Sequence, residues 1–308
     1  TLLGPTSHAA IANVELRGDY AAAHRTARRG LALGEARGYE PETSQTRFRF
    51  AGLACWFEPI DDVVHATQQA RQGLIAGGDL TDAGYTYHPT VFYLLDCAPS
   101  LDVWVAEVEA GLAFVHRTGA EQIGQWLDSY RWLAGVLRGE SSAAVGEGVL
   151  TDASINPLAL FDVHITRAIA AAILGDPVGL ARHTAAAMPL LPFAAGLYPT
   201  ALARLLRGLA LAGEVRAGHG DERGELLSEL DEVTGWLAAR AADAPDNFLH
   251  LLRLLEAERA WAVSDFRAAT LGFDAARREV TGRRRPWHRA LITERAARFW
   301  LAHGVEQA

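Results

Sequence analysis

Asp265-Phe266-Arg267-Ala268-Ala269, with Phe273 and Ala276 behind it, leads through Gly282-Arg283-Arg284-Arg285 into Glu294-Arg295-Ala296-Ala297-Arg298-Phe299-Trp300-Leu301-Ala302-His303-Gly304. The stretch reads as one helical hairpin. Phe266, Ala269, Phe273, Ala276 and Val280 step by 3, 4, 3 and 4 positions, which puts them on one face of a helix. A polar, Gly- and Arg-rich connector separates the halves, and Gly304 stops the second. The spacing predicts two antiparallel helices over 265–304 packed through Phe266, Phe273, Ile292 and Phe299. A lone hairpin cannot bury its own apolar face, so neighbouring hairpins must stack on it.

Working outward, the same period recurs. Leu101, Val105, Val108, Leu112 and Val115 form one apolar face, and Val63, Ala66, Ala70 and Leu74 another. No alternating β-branched run competes with these, and the fold class is all-α. Turn signals divide the chain into helices near 5–17, 19–37, 41–57, 60–76, 80–97, 100–118, 120–138, 140–149, 156–174, 176–190, 195–216, 221–242, 245–263, 265–281 and 286–303. Short connectors between them imply antiparallel neighbours.

A weak repeat lies in the turns. Leu16-Arg17-Gly18-Asp19, Leu137-Arg138-Gly139-Glu140, Leu174-Gly175-Asp176 and Val263-Ser264-Asp265 each place a stop before an acid. A left-handed residue closes one helix, and the acid accepts the free amides of the next. The spacing of these acids fits units of about 36 to 45 residues. The expected architecture is a right-handed α-solenoid over a single domain, 1–308. Ala212 to Arg223, with Gly213, Gly218, Gly220 and Gly224 in or beside it, is the expected flexible connector.

Composition narrows the partners. The net charge is -8, all 29 basic residues are Arg, and no Lys occurs, a bias that points to a GC-rich, bacterial coding genome. An acidic chain without a basic face argues against nucleic acid. No run approaches the roughly 18 uninterrupted apolar residues of a membrane span, and no basic-then-apolar leader opens the chain, so no membrane partner and a cytoplasmic location are expected. Cys55 and Cys97 lie in no Cys-x-x-Cys pattern and read as buried or reduced thiols, with a disulfide between them left open. The start at Thr1 and the single Met188 suggest a segment of a longer polypeptide.

Gly78-Asp79-Leu80-Thr81-Asp82-Ala83-Gly84-Tyr85, the Asp265-Phe266 helix and the closing Glu294-to-Gly304 string together resemble the tetratricopeptide-like repeat region of large bacterial signalling ATPases. The resemblance covers about 40–120 and 245–304. In that family a serine/threonine kinase and an AAA-type ATPase precede the repeats, and sensor, histidine kinase or diguanylate cyclase modules follow. It implies a regulatory, protein-interaction segment without an active site or cofactor of its own. Gly282-Arg283-Arg284-Arg285-Pro286-Trp287 departs from the family's usual last turn. No Gly-x-x-x-x-Gly-Lys-Ser/Thr loop is present, which excludes nucleotide hydrolysis of that type from this chain.

Asp61-Asp62 is the one metal candidate, since paired acids on a helix hold Mg²⁺ in terpene-cyclase chemistry. They follow Pro59-Ile60, where acids favour a helix N-terminus, and Asp246-Asn247 supplies no second metal motif; no metal and no catalytic residue is assigned. The scattered His164, His183 and His250 form no metal pattern. Two surfaces remain. Tyr85, Tyr87 and His88 beside Pro89 are the candidate pocket, and Arg283, Arg284 and Arg285 with Trp287 the candidate partner contact, the latter on a turn expected to be solvated. The expected function is a non-catalytic interaction or regulatory module binding a protein or peptide, including flanking domains of its own polypeptide. The alternatives are a small-molecule effector-sensing solenoid and an all-α Mg²⁺-dependent enzyme.

Overall fold

The structure, a computed structural model, describes residues 3–142, 156–218 and 222–304, and every regular element among them is a helix. In chain order these are α1 (Leu3–Arg17), α2 (Tyr20–Arg37), α3 (Glu42–Ala54), α4 (Ile60–Ala76), α5 (Leu80–Tyr85), α6 (Tyr87–Cys97), α7 (Leu101–Thr118), α8 (Glu121–Leu137), α9 (Pro157–Leu174) and α10 (Pro177–Ala187). A 3₁₀ segment, Met188–Ala194, precedes α11 (Pro199–Ala217), α12 (Glu222–Asp243), α13 (Pro245–Ala262), α14 (Phe266–Val280) and α15 (Pro286–Ala302). The all-α expectation holds. The expected helix at 140–149 lies largely outside the described residues. The single helix expected over 80–97 is interrupted at Thr86, and the expected connector from Ala212 is helical as far as Ala217.

Three of the four stop-then-acid turns, and Gly78-Asp79 in addition, behave as their chemistry requires; the helix expected after Glu140 lies largely outside the described residues. Asp19, Asp79, Asp176 and Asp265 each accept from the backbone N–H three residues on, at 2.8, 3.0, 2.9 and 2.9 Å. Each follows a left-handed residue. Gly175 has φ 73°, and Ser264 holds φ 63° without glycine's freedom.

Two compact units divide the chain: Thr1–Thr166 with Pro189–Thr200, and Arg167–Met188 with Ala201–Ala308. The boundary falls within α9, which has the length and apolar composition of a membrane span but is 67% buried inside the protein, as a core helix is.

In the second unit the helix directions can be read from the contacts. Arg207 on α11 pairs with Glu229 on α12, and Arg204, nearer the start of α11, lies over Trp236, further along α12. These helices are antiparallel. On α14 and α15, Phe273 meets Phe299 at 5.2 Å and Phe266 meets His303 at 4.3 Å between ring centroids, again with opposite directions. α13 and α15 run the same way: Asp246–Arg283, Asn247–Arg285, His250–His288 and Glu258–Arg295 pair at sequence separations of 37, 38, 38 and 37. In the first unit His24–Glu58, Gln45–Asp79, Arg71–Glu107, Asp102–Arg138 and Tyr85–Gln122 pair at 34, 34, 36, 36 and 37. These similar separations have two origins: His24–Glu58 and Asp102–Arg138 join opposite ends of consecutive antiparallel helices (α2 and α3, α7 and α8), whereas the other three join elements that are not consecutive.

Small residues allow the close approach of α13 and α14. A Cβ added at Gly272 would stand 2.9 Å from both Cα and Cβ of Ala257, closer than two helices tolerate without moving apart. Phe273, Ile292 and Phe299 are buried as expected, but Phe266 is 48% exposed: it opens α14 directly after the Asp265 cap, with its ring against His303.

Candidate functional site

In the first unit a cavity of about 300 Å³ lies against α1, α3, α5, α6, α8 and α9 and is covered by residues 195–197, which follow the 3₁₀ segment. That covering strand of chain is anchored at both ends. Trp56 Nε1, fully buried, donates to the Gly196 carbonyl at 2.8 Å, and Tyr198 donates its hydroxyl to the buried Asp96 carboxylate. Its position could not be foreseen, because Gly196 and Trp56 are 140 residues apart in sequence.

Tyr85 and His88 line this cavity, with Pro89 and Trp126 beside them. Tyr87 does not. One residue from His88 on a helix it faces elsewhere, packing on Phe114 at 5.6 Å with the Arg71 guanidinium 3.5 Å over its ring. The candidate pocket is therefore corrected to Tyr85 and His88 without Tyr87.

Behind the cavity wall stands a hydrogen-bonded set the sequence reading did not find. Asp162, fully buried on α9, accepts from His88 Nε2 at 2.8 Å and from the Tyr130 hydroxyl at 3.2 Å. Burial, then the adjacent Asp162 charge, holds the Tyr130 hydroxyl far above its usual pKa, so it stays a donor. A carboxylate only accepts, so Nε2 carries a proton toward Asp162, and in the neutral ring Nδ1 is the acceptor. Among the described residues Nδ1 has no hydrogen-bond partner. The other charged group on the wall, Arg49, is committed to Asp82 at 3.1 Å and to the Gln45 carbonyl at 3.2 Å.

A second cavity, about 450 Å³, belongs to the second unit, with Arg216, Arg295, Arg298 and Glu214 in its wall. Arg216 and Arg295 both engage the fully buried carboxylate of Glu258, and Arg298 pairs with Glu294. Its positive charges are thus already matched within the chain.

The arginine turn is not the uniformly solvated patch expected. Arg285 is buried and bonds to Asn247 Oδ1 and the Arg284 carbonyl; Arg283 clamps Asp246, Glu279 and the Pro245 carbonyl. Both guanidiniums hold α13 to the turn between α14 and α15. Arg284 is exposed and Trp287 half-buried against His288 at 4.1 Å, which leaves those two as the surface part of the candidate contact. Arg285→Gln is expected to cost about 1–3 kcal/mol through the lost charge-assisted bonds, and Arg284→Gln under about 1 kcal/mol. Urea midpoints of the two variants check this.

His250 and His288 are buried against each other, Nε2 to Nδ1 at 3.0 Å. Burial first, then the charges of neighbouring groups including Arg285, pushes both well below the ordinary 6.5. The unfolded chain takes up protons near 6.5 that the folded pair refuses, so stability is complete above that value and falls as the pH drops beneath it. Urea midpoints measured at about pH 7 and about pH 5 are expected to decline, and the decline to shrink in His288→Gln.

Asp61 and Asp62 occupy the first turn of α4, where their charge suits the amide end of the helix; the capping position itself is Pro59 and carries no side-chain bond. No group of three metal-ligating side chains occurs among the described residues. Cys55 and Cys97 are both buried, with no disulfide between them, and burial pushes the Cys55 thiol up to about 12. No family model matches this chain, and neither a curated protein nor a solved structure matches it.

Proposed function

We propose that the chain is a non-catalytic helical-repeat binding module, a right-handed solenoid of tetratricopeptide-like hairpins with a regulatory role in a bacterial cytoplasmic signalling protein. The observation that supports this is the separation of 37 to 38 residues between paired side chains of α13 and of α15 with the turn before it, alongside 34, 36 and 37 at Gln45–Asp79, Arg71–Glu107 and Tyr85–Gln122 in the first unit. A fixed offset between helices of the same direction is what stacked hairpins of one size produce. Its ligand is a protein or peptide, with Arg284 and Trp287 as contact residues and flanking parts of the same polypeptide as the first partners to try. Association of the chain with those parts should weaken in the Arg284→Gln, Trp287→Ala double variant and with added salt. Unchanged affinity would remove the assigned contact, and Mg²⁺-dependent turnover of an isoprenyl diphosphate that vanishes in Asp61→Asn, Asp62→Asn would replace the binding module with an enzyme.

A second reading, small-molecule effector sensing, is favoured by one feature. Residues 195–197 join α1, α3, α5, α6, α8 and α9 in lining a cavity of ligand size in the first unit.

A further inference from the structure

The first-unit cavity has a mostly apolar wall, with Phe48, Tyr85 and Trp126 among its residues and the His88 ring as its most deeply buried polar side chain. We propose that it binds a small, flat, neutral molecule carrying a single O–H or N–H donor, of the phenol class, whose donor is received by His88 Nδ1. This rests on the small-molecule reading above. At about 300 Å³ the space is at the lower end of ligand pockets, enough for one or two fused rings. Trp126, whose ring centroid is 4.4 Å from that of His88, together with Phe48 and Tyr85 supplies flat apolar surface.

The charge state of the ligand follows from what is already used. Arg49 is the one arginine on the wall, and Asp82 holds its charge, so an anion finds no uncompensated cation there. The Tyr85 hydroxyl accepts from Gln122 at 3.4 Å and keeps its O–H as a donor, while His8 sits at the exposed rim with Nδ1 on the Gly4 carbonyl. His88 differs: it is 6% exposed, fixed at Nε2 by a fully buried carboxylate that Tyr130 also orients, and open at Nδ1. An acceptor without a protein partner, on a ring that is itself buried in a mostly apolar wall, favours a ligand that brings a donor over one that displaces water from it without replacing the bond.

The test is isothermal titration of the full chain with 4-ethylphenol and its isomer 4-methylanisole, which has the same atoms but no donor. 4-Ethylphenol should bind at least about tenfold tighter. His88→Phe should abolish that preference, and Leu197→Trp, which fills the cavity from its cover, should abolish binding of both. Because His88→Phe leaves Asp162 without its histidine and can fail to fold, the His88 ¹⁵Nδ1 shift of the wild type is followed as well, and it should move on adding 4-ethylphenol. Equal affinity for the two isomers, tighter binding of 4-methylbenzoate, or an unmoved Nδ1 signal on saturation overturns the donor chemistry while the cavity remains a binding site. Absence of binding by both isomers, or binding that persists in Leu197→Trp, overturns the small-molecule reading and this proposal with it.

Discussion

Replacing Glu258 with glutamine is expected to destabilise the second unit by about 3–5 kcal/mol, the range for breaking a buried ion pair from one side. The carboxylate is fully buried; its Oε2 receives Arg216 Nη1 at 2.7 Å and its Oε1 receives Arg295 Nε. Burial opposes its charge, and the two guanidiniums, Arg295 foremost, more than offset that and hold its pKa below the ordinary carboxylate value. Glutamine keeps the volume and removes the charge, which leaves Arg295, only 8% exposed, without its counter-ion. Denaturant unfolding of wild type and variant, compared at equal slope, measures the loss. By linkage, this ion pair's contribution is present above the ordinary carboxylate range and is lost as the pH falls through the lowered folded value.

Phe273→Ala should cost a similar amount, about 3–5 kcal/mol, through a different cause: lost apolar transfer and the cavity left behind. Phe273 is fully buried, with Phe299 of α15 5.2 Å away between ring centroids and Trp261 of α13 6.3 Å away edge-on. Phe266→Ala provides the internal contrast. Half of that ring already faces water, and its loss should stay below about 1 kcal/mol. A Phe273→Ala cost as small as that would mean the hairpin does not close on this ring.

Why these elements were legible in sequence, and others were not, follows from the range of the forces involved. The helices and the acid caps at Asp19, Asp176 and Asp265 are set by residues within four positions of one another, so periodicity and turn chemistry predict them. The spacing of the acids suggests units of about 36 to 45 residues; the His250–His288 and Glu258–Arg295 contacts between α13 and α15, at separations of 38 and 37, lie within that range. Arg285 was expected in a solvated turn because the neighbouring Gly and Arg residues are polar; its burial depends on Asn247, 38 residues earlier. His88 was singled out for its aromatic neighbours, but the partners that give it a role, Asp162 and Tyr130, come from α9 and α8. The cover over the cavity comes from further still, beyond α10.

The helical-repeat reading depends on α13 and α15 lying side by side in the same direction at a fixed offset. Spin labels on cysteines placed at Asp246 and Arg284, and separately at Glu256 and Glu294, measure that register directly. The native Cys55 and Cys97 are buried and should stay unlabelled in the folded chain. Both pairs keep the 38-residue separation seen at His250–His288, so the two label distances should agree to within a few ångströms, as for parallel helices with axes about 8–10 Å apart. If one pair is close and the other longer by about 30 Å, the displacement expected when ten residues of each helix run in opposite directions, the two helices are antiparallel and the stacked-repeat account is wrong.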